Sequence, residues 1–167
     1  MERGRSHTWE DPAPTTATAR RSTGPYIPRD MLEKRLAVPP ILSMLDFGPG
    51  AVEKGRANCS LVAEEEHDNP PATSTAVYAT LLDSAAGCAV QSALPEGTTY
   101  TSLDPSMRFP HPMTADTGLG RAVGTVIDGG RPTALAQAEL TDDSGRLLST
   151  HKQLHDSACP MSPPAVP

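Results

Sequence analysis

The stretch from Glu64 to Leu94, EEEHDNPPATSTAVYATLLDSAAGCAVQSAL, holds the longest run of small and apolar residues in this chain. Its second half is built from Ala, Leu, Val, Gly, Ser and Thr, with one acid, Asp83, in the middle. The run predicts a helix over roughly residues 75–92. A helix that is apolar nearly all round is a buried helix. Its small side chains imply that something packs closely on most sides. A carboxylate in such a helix is costly unless it is paired, hydrogen-bonded or functional. The preceding DNPPATST has the Asn and Pro of a loop and the Ser/Thr of a helix N-cap. A polar loop therefore feeds a helix N-terminus, and an acid follows about two turns later.

The flanks read as strands around this helix. Before it, Arg56 to Glu64 alternates, with Ala57, Cys59, Leu61 and Ala63 on one face, as in a half-buried strand. Upstream, Asp30 can cap a helix carrying Met31, Leu32, Arg35 and Leu36, which Pro39-Pro40 interrupts. Gly48-Pro49-Gly50 reads as a turn and residues 51–55 as a short strand. After the helix, Pro95-Glu96-Gly97 turns the chain, and Thr98 to Phe109 alternates again. Pro105 is awkward there, because it cannot donate to a ladder. Leu119 to Asp128 is a strand, and Gly129-Gly130 a hairpin turn. Thr133 to Leu140 puts Ala134, Ala136, Ala138 and Leu140 on one face, which suits the close approach of a helix. Asp142-Asp143-Ser144-Gly145 turns into a last strand, Arg146 to His155, and the Pro-rich tail ends it. Antiparallel strands around one apolar helix make an α+β domain. The expected organisation is a flexible N-terminal arm over 1–28, one domain over 29–156, and a Pro-rich tail over 157–167.

Composition narrows the classes of function. At 167 residues the chain holds one domain with a proper core. Aromatics are only 4%, so packing must rest on Ala, Val, Leu and Met. The formal charge is −6 and Lys and Arg are scattered, which argues against nucleic acid as a partner. Cys59, Cys88 and Cys159 form neither an even disulfide framework nor a metal spacing, so no metal is expected. Cys59 and Cys88 read as small core residues. No apolar run is long enough to span a bilayer and no signal-peptide pattern opens the chain, so a cytoplasmic location is expected.

Asn69-Pro70, the run Ala79 to Val90 around Asp83, and Pro95-Glu96-Gly97 carry a family resemblance. Over roughly residues 30–155 the chain resembles acyl-CoA thioesterases of the hotdog fold, of the type found in phenylacetic acid degradation. The resemblance implies a bent antiparallel sheet wrapped around a long central helix. One element departs from the pattern: the family's His-Gly-Gly triplet is absent. Ser74-Thr75-Ala76 or Thr75-Ala76-Val77 takes its place.

The chemistry implied needs an acid or base, donors for a developing oxyanion, and a groove for the acyl chain and its carrier. Asp83 is the candidate base or nucleophile, and backbone N–H groups near Thr75 and Ala76 the candidate oxyanion hole. The resemblance adds Asn69 and Ser102, and implies that Asn and Asp from facing subunits meet across a dimer seam. It also places Gly130, Arg131, His151 and Lys152 near the carrier's phosphates. Gly129-Gly130 needs no explanation beyond a hairpin, and Arg131 and Lys152 also fit ordinary solvated charges. The expected substrate is an acyl thioester, with CoA or phosphopantetheine as part of it and no separate cofactor. The expected assembly is a homodimer or dimer of dimers, with an acyl carrier protein as a candidate partner. Because Gly lets a backbone approach a thioester closely, losing His-Gly-Gly points to an altered substrate or reaction. Dehydration, lyase or cyclisation chemistry, or acyl-thioester binding without catalysis, are the alternatives.

Overall fold

The computed structural model describes residues 30–69, 72–73, 75–95, 98–130 and 132–160. The expected N-terminal arm lies outside the described residues. The central element is helix α2, Thr75–Ala93, which follows the short helix α1, Pro40–Met44. Ala and Leu favour the helical state, no Pro interrupts the run, and Pro95 follows just past its end. Strands β1 (Phe47–Glu53) and β2 (Arg56–Val62) precede α2, as does a two-residue ladder of β3 (Asp68–Asn69) with β4 (Ala72–Thr73). Five strands follow it: β5 (Thr98–Ser102), β6 (Ser106–Arg108), β7 (Leu119–Gly129), β8 (Thr133–Thr141) and β9 (Leu147–Pro160). Seven of the strands form one antiparallel sheet in the order β1-β2-β7-β8-β9-β5, with β6 also paired to β9. This is the α+β arrangement expected, with the sheet packed on the helix.

Small residues bring sheet and helix together. Ala57, Cys59 and Leu61 of β2 and Ala134, Ala136 and Ala138 of β8 are buried on the helix side, as their alternation predicts. Leu81 and Leu82 of α2 are fully buried, which stabilises the fold by about 1.5–3 kcal/mol each. Two glycines permit the closest contacts. A Cβ on Gly124 of β7 would run into the carbonyl oxygen of Ala85, and one on Gly87 of α2 into the phenol of Tyr100.

Several sequence expectations need correction. Within the described residues the leading helix ends at Leu32, after which Lys34 takes a positive φ of 55°. The Asp30 carboxylate and carbonyl then hold Arg35, at 2.7 Å and 2.8 Å, in place of further helical turns. Gly48-Pro49-Gly50 is not a turn but part of β1, with an irregular register between Pro49 and Val52. As the outer strand of the sheet, β1 has one side with no ladder to disturb, and Pro is tolerated on such strands. The run 98–109 is two strands. At the break, the Asp104 carboxylate accepts from the Leu154 N–H at 3.0 Å, while Pro105 has no donor to offer. The last strand does not stop at His155 but continues to Pro160, opposite Thr98. Finally, α2 is not covered all round: Ala76 is exposed, and Thr80, Asp83, Ser84 and Cys88 are half-buried along one stripe.

If contact at Gly124 sets the helix–sheet spacing, Gly124→Ala destabilises the fold by about 1–3 kcal/mol or more, as overpacking does. Gly48→Ala, which meets nothing within 4 Å, causes no loss. Urea unfolding of the two variants checks this.

Candidate functional site

Asp83 sits midway along α2 on the half-buried stripe. The hydroxyl of Ser102, on β5, donates a hydrogen bond to its Oδ1 at 3.1 Å. Among the described residues no cation pairs with Asp83. The carboxylate is thus oriented by a neutral donor. It stands where the sheet leaves the helix uncovered, so a small molecule or a second protein surface can reach it.

The remaining sequence candidates are not gathered around Asp83 within one chain. Thr75 and Ala76 are exposed in the first turn of α2, eight and seven residues before the acid. At a rise of ~1.5 Å per residue they lie about 10–12 Å away along the axis. Asn69 is exposed in β3, opposite Ala72. Gly130 lies by the β7–β8 hairpin and lines a hollow of about 170 Å³ with Val90, Leu94 and Pro95, at the far end of the helix. Lys152 is exposed and lines a groove of about 300 Å³ with Arg108 and Ser106. His151 was grouped with Lys152, but neighbouring strand residues point to opposite faces. The His151 side chain is buried and its Nε2 bonds Gln153 Oε1 at 2.8 Å. A single phosphate therefore cannot take both side chains from one face. Arg131 lies outside the described residues.

Sequence reasoning missed Tyr100, Gln153 and His155. The His155 ring is fully buried and meets Tyr100 edge-on, with ring centroids 5.1 Å apart. Its backbone is paired with that of Ser102. Burial, with Cys88 and Asp83 next in effect, pushes the Tyr100 phenol well above its usual range. Burial lowers the pKa of His155; the Asp83 charge opposes this, His151 adds to it, and Asp104 opposes it. The signal was present in the sequence: His151, Gln153 and His155 fall at every second position of a strand, so they share a face. Among the described residues no three His, Cys, Asp or Glu are placed to hold a metal ion, and no helix is long and apolar enough to cross a membrane.

A seven-stranded antiparallel sheet packed on one long helix is the hotdog fold. Among solved structures, the chain is similar to the PaaI protein of the E. coli phenylacetic acid degradation operon. The TM-score is 0.71 at 14% identity, covering 81% of this chain and 94% of that one. It is also similar to a thioesterase from Haemophilus influenzae (TM-score 0.70, 16% identity, 88% and 98% covered). A phenylacetic acid degradation-related protein from Ralstonia eutropha gives 0.69 at 24% identity, with 77% and 97% covered. No protein-family profile matches the sequence, and no curated protein matches it. At these identities the likeness is one of fold.

The buried histidine has a pH signature. Its folded pKa is depressed, so its contribution to stability is complete above the ordinary value of 6.5 and is lost as pH falls from there through the folded value. Replacing it, as in His155→Phe, is expected to flatten that acid-side decline. Urea unfolding between about pH 5 and pH 7.5 reads the change.

Proposed function

We propose that this protein hydrolyses acyl thioesters carried on CoA or on the phosphopantetheine of an acyl carrier protein. The observation that carries this reading is Asp83, half-buried on the uncovered side of the central helix and oriented by the Ser102 hydroxyl at 3.1 Å. Asp83 draws a proton from a water molecule as its oxygen bonds to the acyl carbon. The carbonyl electrons move to oxygen, return as the C–S bond breaks, and the sulfur leaves with the proton. Asp83 as a direct nucleophile gives an anhydride that water then opens, with the same products.

The developing oxyanion needs donors, and the first turn of a helix is a source of them. The chain's own first turn, at Thr75 and Ala76, is about 10–12 Å from Asp83, too far to share one carbonyl. A second copy of the chain, bringing its α2 N-terminus and Asn69 to this Asp83, resolves the separation. The functional unit proposed is therefore a homodimer, alone or as a dimer of dimers. The carrier's phosphates fit the exposed cations Lys152 and Arg108 better than His151, which is turned inward.

Asp83→Asn is expected to keep the fold and lower kcat/KM by about a hundredfold or more, as loss of an essential base does. Ser102→Ala, which removes orientation but not the carboxylate, costs less. Release of free thiol from a panel of acyl-CoA substrates measures both. Thiol release within a few-fold of the parent in Asp83→Asn sinks the reading. Product mass spectra separate hydrolysis from the dehydration or lyase alternative, which leaves the thioester bond intact. Light scattering at micromolar concentration tests the dimer, and a monomer there contradicts it.

A further inference from the structure

The inward side of β9 is unusual for a hydrophobic core. Ser149, His151, Gln153 and His155 are each no more than 2% exposed. Their register partners on β8 are Leu140, Ala138, Ala136 and Ala134, all members of the core around α2. Residues directly opposite in an antiparallel pair share a face, so the four polar side chains point toward the helix. Ser149 is accounted for, since its hydroxyl donates to the Arg108 carbonyl at 2.7 Å. The other three are not. Among the described residues both ring nitrogens of His155, Nδ1 of His151 and Nε2 of Gln153 lack a hydrogen-bond partner. A buried polar group without a partner has given up its water and gained nothing in return. A sheet whose only task is to pack on α2 would carry Val, Leu or Ile here. Instead the strand presents polar groups opposite three alanines, which take up the least room.

The row begins at the candidate site. His155 is register partner to Ser102, the residue that holds Asp83, and its ring rests against Tyr100. From His155 to His151 the strand advances about 13 Å at ~3.3 Å per residue. The free valences therefore meet successive positions of an extended chain rather than one point. We propose that this row is an acyl subsite for oxygenated chains: the acyl group brought to Asp83 carries carbonyl or hydroxyl groups, as in β-keto or β-hydroxy acyl thioesters, and not plain hydrocarbon. The chemistry of the row is complementary to such groups. With His151 Nε2–H given to Gln153 Oε1, His151 Nδ1 accepts and Gln153 Nε2 donates. Neutral His155 offers one of each. Burial keeps that ring neutral, which suits uncharged oxygen functions and not carboxylates. The inference rests on the thioesterase reading and names its substrate class.

Binding and turnover separate the two. Octanoyl-CoA, β-keto-octanoyl-CoA and β-hydroxy-octanoyl-CoA are titrated calorimetrically into the full-length Asp83→Asn protein, which holds them unhydrolysed. The oxygenated chains are expected to bind at least about tenfold more tightly than octanoyl-CoA. Adding Gln153→Leu or His155→Phe removes or reverses that preference, and two independent variants guard against failure of either to fold. Equal binding of the three ligands, or binding of none, overturns the subsite. So does an unchanged preference in both variants accompanied by higher stability, which means the row holds ordered water only. Preferential binding without hydrolysis by the parent protein leaves the subsite standing and removes the hydrolase reading instead.

Discussion

The close approach of α2 to the sheet at Gly124 constrains nearly everything else. With the Ala85 carbonyl where a Cβ of residue 124 would be, the helix can neither rise off β7 nor roll across it. The alanines of β8 continue the same tight surface. Packing at this density transmits position, because displacing either element opens gaps that forfeit contact energy. Gly87 makes a second such contact, where Tyr100 lies on the helix. The two contacts fix which side of α2 meets the sheet and which is left open. Asp83 falls at the edge of the open side, within reach of Ser102. The placement of Asp83 is thus a by-product of how small the residues beneath the helix are.

Much of the fold was legible because the pattern contrast was strong. In 56–63 and 133–140 every second residue is apolar and most of the residues between are polar, so one face is marked for burial. The long run without Pro or charge before Asp83 left little but a helix. Legibility failed where a residue type has two uses. Gly-Pro-Gly punctuates turns, yet at 48–50 it lies in an outer strand, where Pro is tolerated. The alternation of 98–109 survives a break in pairing, because Asp104 satisfies the Leu154 N–H with its side chain. Ala, Thr and Ser read as apolar in a helix pattern, but at 76, 80 and 84 they border open space. Local pattern carries no information about which stripe of a helix its neighbours leave bare.

The site was half legible for a related reason. Asp83 and Ser102 were identified and lie together, since one helix and one strand of the same chain bring them there. Asn69, like Ser102, came from the resemblance to a family, and Thr75 and Ala76 from the free N–H groups of a helix N-terminus; the last two cannot meet the Asp83 of their own chain, because the rise of a helix forbids it. The residues overlooked, Tyr100, Gln153 and His155, were hidden by ordinary expectation about strands. A polar residue at every second position is read as the solvent face. Here that face is turned to the core, and the exposed positions between, Lys152 and Leu154, include a leucine.

This inversion has an electrostatic consequence. The exposed cations Lys152 and Arg108 are on the outer side of β9 and β6, while the inner side of β9 holds neutral donors and acceptors. The sequence also has no His-Gly-Gly triplet before the helix. On the proposed reading, no Lys or Arg among the described residues of the helix-facing surface counters negative charge growing on a thioester oxygen. Dipoles would be left to do so: helix N-terminal N–H groups from the proposed second copy, and neutral side-chain donors such as Ser102 once a substrate is bound. Dipoles aimed from fixed positions stabilise charge well in a dry site but poorly in water. Closure of the dimer over the open stripe of α2 would then be a condition of catalysis as well as of assembly, because it excludes the solvent that would otherwise screen those dipoles.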